Sequence, residues 1–529
     1  MDSTAALHAA VARHREGRLA EAGRLYRRVL ADDPVQADAL QLLGLVARAA
    51  GMADDAARLM RRCLRIAPLH VGTLLNLARQ AVERDQCVAA IRPLAAATAV
   101  QPERGDAEAL LGRVLLRSER CDHAACMLRR ACRLMPDNAD TRHALSVALN
   151  HNMVAAFDEA LRHAVAAVAL APGNAAHHLQ LAFVRSELGE HHRANADARR
   201  ALAIDPTLDW AKHALGIGLL SLGHLREGLA FYEHRLSNIG FRGTLPQLHP
   251  WDGRPLPDGT LLLHAEGGFG DSIQFLRYAT AAARLCREVV VVCPKPLERL
   301  LAAAPGAEAI VFNPPEMPQA GAKALFLSLP HLFGGRPETI PRDTPYLRTD
   351  PALVDRWAER LRGVDGLRIG VCWSNGTPSR PADPRRSAPV SQVLRLADVP
   401  GVRLVSLHVA DSPDKRVPPT HAGRILQFDD LDQGPHALTD TAALMMNLDL
   451  VVTIDTAVAH LAGALGRPVW LALANRACWR WMDDRETTCW YPTMRIVRQE
   501  RPRDWDEVFT RIAAALRREA TGRRGEARK

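Results

Sequence analysis

Three short stretches hold residue types suited to chemistry on a phosphate. Residues 451–473 read VVTIDTAVAHLAGALGRPVWLAL. The β-branched run 451–454 predicts a buried strand, and Asp455 and Thr456 offer helix-capping oxygens. Residues 456–465 predict a short helix, stopped by Gly466 and Pro468, and 469–473 predict a second strand. Strand, helix and strand at this spacing form a βαβ unit of a parallel sheet. Ligands of such sheets sit beyond the carboxyl ends of the strands. Asp455, Thr456 and the amides of Ala457 and Val458 fall at that point. A helix start offers unpaired N–H groups and about half a positive charge, which suits a phosphate. His460, one turn on, adds an imidazole donor. The plainer alternative is that Asp455 only caps and His460 only packs.

The second stretch is EGGFGD at 266–271, between a predicted strand (261–265) and a predicted helix (272–286). Gly268 and Gly270 fit the first two glycines of the dinucleotide fingerprint, but Ile273 stands at the third. That disfavours a nicotinamide oxidoreductase. No Lys-Ser/Thr follows, so it is not a Walker loop either. The glycines let backbone approach a bulky ligand, and Asp271 at the helix start is either an N-cap or a general base. The third stretch, 374–387, is polar and Pro-rich and carries Arg380, Arg385 and Arg386. A guanidinium matches phosphate with paired N–H donors.

These pieces belong to an α/β half. Strands are predicted at 288–293, 309–312, 367–373 and 402–407, with helices at 296–303, 439–447 and 504–519. The last helix is expected to cross back to the first α/β domain. Trp251 is expected to pack on that domain, and Trp479, Trp481 and Trp490 to pack in the core rather than stack on a base.

The first half is a repeat. Pro34, Pro68, Pro102 and Pro136 recur every 34 residues, Pro172 follows after 36 and Pro206 after 34. Twelve residues ahead of each stands an alanine: Ala22, Ala56, Ala90, Ala124, Ala160 and Ala194. Small residues there let two helices approach closely. Gly17, Gly51, Gly189 and Gly223 mark the turn between helices. Repeat three lacks that glycine, and repeat five has two extra residues. The pattern resembles the tetratricopeptide repeat over residues 3–236. Such arrays commonly hold an extended peptide, which implies a protein partner or acceptor.

A chain of 529 residues with 48% hydrophobic and 24% charged residues is an ordinary multidomain globular protein. The net charge of +9 forms no stripe for nucleic acid, apart from a basic tail at 517–529. Ten scattered cysteines without CxxC spacing suggest core residues in a reducing compartment. No apolar run reaches membrane-spanning length and the start lacks a signal-peptide core, so the expected location is cytoplasmic.

GFGD at 268–271, WSN at 373–375 with RRS at 385–387, and DTAVAH at 455–460 together resemble the heptosyltransferase-like glycosyltransferases, in particular bacterial proteins that fuse tetratricopeptide repeats to such a domain. WYPTM at 490–494 adds to the likeness. The resemblance implies an all-α tetratricopeptide-repeat superhelix followed by an α/β glycosyltransferase-B fold of two Rossmann-like domains. The expected boundaries are repeats at 3–236, a linker at 237–259, an acceptor-side domain at 260–350, a nucleotide-sugar domain at 351–520 and a basic tail at 521–529.

The activity implied is inverting, metal-independent transfer of a sugar from a nucleotide-diphosphate donor to a hydroxyl, with no cofactor. On matching residues, Asp271 would be the base and Arg386, or Arg385, would steady the departing diphosphate. Thr456, Ala457 and His460 would hold that diphosphate, with Asp455 anchoring the loop or touching the donor. Glu266, Gly268 and Gly270 would lie near the acceptor. The partners implied are a nucleotide sugar and a polypeptide in the repeat groove, with no nucleic acid and no membrane span. The competing reading is a repeat-based adaptor that binds a nucleotide sugar without turning it over.

Overall fold

The computed structural model describes residues 3–151, 156–238, 248–314, 320–376, 382–409, 411 and 413–526. Contacts divide the chain into two units, 1–184 and 185–529.

The first unit is built of helix pairs. They run Ser3–Arg15 with Leu19–Asp32, Ala37–Ala49 with Ala53–Ile66, Val71–Glu83 with Cys87–Val100, Gly105–Arg117 with Cys121–Leu134, and Ala139–His151 with Phe157–Leu170. The repeated alanines explain the pairing. Ala22, Ala56, Ala90, Ala124 and Ala160 are all fully buried, and a larger side chain there would force the pair apart. The two-residue insertion read in repeat five falls beside 152–155, outside the described residues.

The turn between paired helices needs a left-handed residue. Gly17 and Gly51 supply it at φ +76° and +79°. At the same place in the next two pairs, Asp85 and Glu119 adopt φ +60° and +59°. The missing glycine therefore leaves the turn in place but occupied by a residue that strains in this region. Glu119→Gly is expected to stabilise the protein by about 1 kcal/mol, read as a higher urea midpoint at unchanged slope.

The second unit begins with helices His191–Ile204, Asp209–Ser221 and Leu225–Tyr232 and a short turn of helix, Arg235–Asn238. Two parallel sheets follow. The first contains β1 (Leu256–His264), β2 (Cys286–Val292), β3 (Ile310–Phe312) and β4 (Ala322–Leu325), in the order β3-β2-β1-β4. The second contains β5 (Leu367–Cys372), β6 (Val402–Ser406), β7 (Ile425–Leu426), β8 (Leu450–Thr453), β9 (Val469–Leu473) and β10 (Met494–Arg498). Its order is β10-β9-β8-β5-β6-β7, the 3-2-1-4-5-6 arrangement of a dinucleotide-binding sheet. β8 and β9 are buried along their whole length. That is why they read as unbroken apolar runs rather than alternating ones.

Trp251 is 4% exposed and packs edge-on against Phe333, as expected of it. The last helix, Trp505–Glu526, does not cross to the first sheet. Val508, Phe509, Ile512 and Leu516 join Ile369, Val371, Val452 and Trp470 of the second. Its apolar stripe is matched by the face of β5, β8 and β9. Among the described residues no helix is long and apolar enough to cross a membrane.

Candidate active site

In the second sheet, β5 lies between β6 and β8, so the connections diverge there and leave a crevice at the carboxyl ends. A cavity of about 640 Å³ opens at this point, lined by Cys372, Ser374 to Gly376, Asp383 and Arg386, Leu407 to Val409, and Asp455 to Val458. From the first α/β domain, Phe269 completes the wall. Arg380 lies outside the described residues.

Helix Ala457–Ala464 starts on this cavity. Thr456 takes the N-cap position, but its side chain makes no cap bond. Its hydroxyl turns to Cys372 Sγ at 3.6 Å and the Ile454 carbonyl at 3.5 Å. Asp455 does not cap either: Arg386 Nη2 donates to its carboxylate at 3.0 Å and to its carbonyl at 2.7 Å. The sequence suggested two capping oxygens; the structure uses both elsewhere. The helix start therefore faces the cavity without a side-chain cap, its amides directed at whatever sits there.

The adjacent arginine is diverted. Arg385 donates to Asp383 at 3.0 and 3.1 Å and to Glu187 at 3.4 Å. Glu187, at the end of helix Ala175–Glu187, also pairs with Arg476. Arg386 thus lines the cavity while Arg385 ties its loop to a repeat helix. Ser387 and Asn375 close that loop, Ser387 Oγ donating to Asn375 Oδ1 at 2.8 Å.

Two buried histidines frame the site, and both stay neutral. His408 Nε2 accepts the amides of Trp373 and Ser374 at 3.0 and 3.3 Å. Burial pushes its pKa down to about 3. Nothing in the sequence singles it out: it is a lone His after a strand. His460 is also held at about 3, by burial first and by Arg480 second. Its Nδ1 meets Tyr491 Oη at 2.9 Å and its ring stacks on Trp481 at 5.3 Å. It is 5% exposed and does not line the cavity. Its ring lies instead against the facing helix start at Gly270, between Trp481 and Tyr491.

Both groups titrate lower folded than unfolded, so the unfolded chain binds more protons below about pH 6.5. Stability then rises with pH through that window and falls on acidification toward pH 3. From pH 6.5 to 5 each histidine is expected to cost about 2 kcal/mol. His408→Asn should flatten the fall of the melting temperature with acid.

On the facing side, helix Phe269–Ala282 begins three residues earlier than its glycines suggested. Asp271 is consequently not the N-cap but the third residue of the helix, and Oδ2 accepts the Gly268 amide at 2.7 Å. Oδ1 is held by Arg480 Nη2. Asp271 itself is not among the cavity's lining residues. Gly270 explains how near the two helix starts come. A Cβ there would stand 3.4 Å from Ala457 Cα and 2.8 Å from His460 Cδ2.

Glu266, expected near an acceptor, is 4% exposed. It pairs with Arg235 at 2.5 Å and accepts the Leu327 amide at 3.1 Å. Trp479, Trp481 and Trp490 are all core residues. Among the described residues no three His, Cys, Asp or Glu side chains converge to hold a metal ion.

Residues 433–474 match glycosyltransferase family 9 (heptosyltransferase). The matched span runs from helix Thr439–Met446 through β8 and the uncapped helix to β9. Protein FlbA of Caulobacter vibrioides is 27% identical over 544 aligned residues, covering 96% of this chain and 83% of FlbA. Among solved structures, YrrB, described as a TPR protein with an unusual peptide-binding site, aligns at 19% identity and TM-score 0.34, covering 36% of this chain and 96% of YrrB. PilF of Pseudomonas aeruginosa aligns at 18% identity and TM-score 0.35, covering 40% of this chain and 95% of PilF. The chain thus carries an array of repeated helix pairs and an α/β half that is similar, over residues 433–474, to glycosyltransferase family 9 (heptosyltransferase).

Proposed function

We propose that this protein is an inverting glycosyltransferase that takes a sugar from a nucleoside-diphosphate donor, without a metal, and passes it to an acceptor hydroxyl. The observation that carries this reading is the uncapped start of helix Ala457–Ala464, open to a 640 Å³ cavity with Arg386 beside it. Breaking the bond between the anomeric carbon and the phosphate oxygen sends an electron pair, and so negative charge, onto the diphosphate. Fixed N–H dipoles and a guanidinium stabilise that charge without rearranging. The acceptor oxygen forms the new bond at the opposite face of the sugar and loses its proton to the Asp271 carboxylate. Thr456 and Ala457 would contact the diphosphate directly, while His460 supports their helix.

The repeats would recruit a polypeptide, as partner or as acceptor. This supports a division of labour in which the array selects and the cavity transfers.

A second reading has its own observation. Both oxygens of Asp271 already have partners, and an adaptor that only binds a nucleotide sugar would need no free base. One experiment separates the two. Nucleoside diphosphates and their sugars are screened by thermal shift, and those that bind are followed for release of the diphosphate with and without acceptor. Transfer supports the enzyme; binding without turnover supports the adaptor; no binding by any of them sinks both. Arg386→Met should weaken the diphosphate by about tenfold to a hundredfold, the worth of a charged hydrogen bond.

A further inference from the structure

Arg480 reaches across the gap between the two α/β domains. It lies in the turn Trp479–Trp481, beyond β9 of the second sheet, yet its guanidinium belongs to the first domain's helix. Nε donates to Gln274 Oε1 at 2.8 Å, Nη2 donates to Asp271 Oδ1, and Nη1 lies 2.9 Å from Cys478 Sγ. The ring of Trp479 lies under it at 4.7 Å and that of Phe275 at 5.4 Å. With 8% exposure, it has no freedom to swing away.

We propose that Arg480 is a positioning residue for the transfer step, setting the orientation of Asp271 relative to the diphosphate helix. This rests on the reading of Asp271 as the base. An ionised carboxylate accepts about four hydrogen bonds. Gly268 and Arg480 take one on each oxygen, which fixes the plane of the group and leaves lone pairs for an acceptor hydroxyl. The same segment also fixes the donor side. Trp481, the next residue, stacks on His460, and Tyr491 bonds its ring nitrogen. Trp490 Nε1 donates to the Arg480 carbonyl at 2.9 Å, locking the segment to itself. Residues 478–491 therefore act as one gauge block, with the base at one end and the helix that would carry the diphosphate at the other. A displacement near 1 Å at a reacting group costs on the order of a hundredfold in rate.

The test compares Arg480→Met, Arg480→Lys, Asp271→Asn and the Met/Asn double variant in the full chain. Arg480→Met is expected to lower kcat by about a hundredfold with the donor KM and nucleoside-diphosphate affinity unchanged. Arg480→Lys keeps the charge but loses the fork and should recover about tenfold of that loss. The double variant should be no slower than Asp271→Asn alone, because an arginine acting through the base has nothing left to orient. If Arg480→Met does not fold, Arg480→Lys carries the test, with a tenfold loss in kcat at constant KM expected. A normal kcat, a loss that adds to that of Asp271→Asn, or a parallel loss of donor binding overturns the proposal while leaving the enzyme reading intact. A wild-type chain that binds donors but transfers nothing overturns the reading itself, and the proposal with it.

Discussion

Asp271→Asn lowers sugar transfer by about 10²–10⁴-fold, the range for loss of a positioned general base, and leaves nucleoside-diphosphate binding as it was. Asparagine keeps the size of the side chain and one carbonyl oxygen for the Gly268 amide. It cannot take a proton from a hydroxyl, so the acceptor must attack with its proton still on. The donor side does not feel the change, because Arg386 and the amides of the uncapped helix belong to the other domain. Initial rates and calorimetric titration with the diphosphate measure the two sides separately. Unchanged turnover would remove Asp271 as the base. Equal losses of turnover, binding and melting temperature would instead make it a structural partner of Arg480.

The sequence made the repeats and the two sheets visible because both rest on short-range regularity. A proline every 34 residues with a buried alanine ahead of it is a signal within one helix pair. A β-branched run followed by a cap residue and a glycine stop is a signal within one βαβ unit. β4, β7 and β10 were not legible: β7 is two residues long, AKAL of β4 has no β-branched residue, and MRIVR of β10 is interrupted by arginines. The helix start at Phe269 was hidden because GGFG reads as a loop, although Gly270 is what lets that helix come against Ala457.

The site itself was legible only in part. Arg386, Thr456 and Ala457 line one cavity. What completes the arrangement lies far away in the chain. Arg480 and Asp271 are 209 residues apart, and Glu187 and Arg385 are 198 apart. No local pattern encodes a partner at that distance. Asp455 shows the same limit from the other side. Its type suits a cap, but Arg386, 69 residues earlier, takes the carboxylate and frees the amides for a ligand.

The largest stability effect is expected at Arg235. Its guanidinium is fully buried and donates to Glu266 at 2.5 and 3.3 Å, to Ser328 Oγ at 2.8 Å and to Glu233 at 2.7 Å. Glu266 follows β1 and Leu327 follows β4, so the group fills the crevice where the first sheet's strand order reverses. The switch point that holds a cavity in the second sheet is plugged by a repeat-side arginine in the first. Burial pushes the Glu266 carboxyl above its ordinary range, and Arg235 pulls it back.

Arg235→Met strands that carboxylate, with Glu233 beside it, at a cost of about 3–5 kcal/mol, the usual penalty for breaking a buried pair from one side. Glu266→Gln, which still accepts the Leu327 amide and a guanidinium N–H, should cost less. Replacing both Arg235 and Glu266 by Met should recover much of the loss, because no unpaired charge then remains at Glu266. Urea unfolding followed by tryptophan fluorescence measures all three. A loss below about 1 kcal/mol for Arg235→Met would make the network a solvated surface pair in effect. A large loss that the double variant does not relieve would place the energy in packing around Arg235 rather than in its charge. The predicted order, single arginine variant worst and double variant nearer wild type, follows only if the last repeat helices and the first sheet fold as one body through this pair.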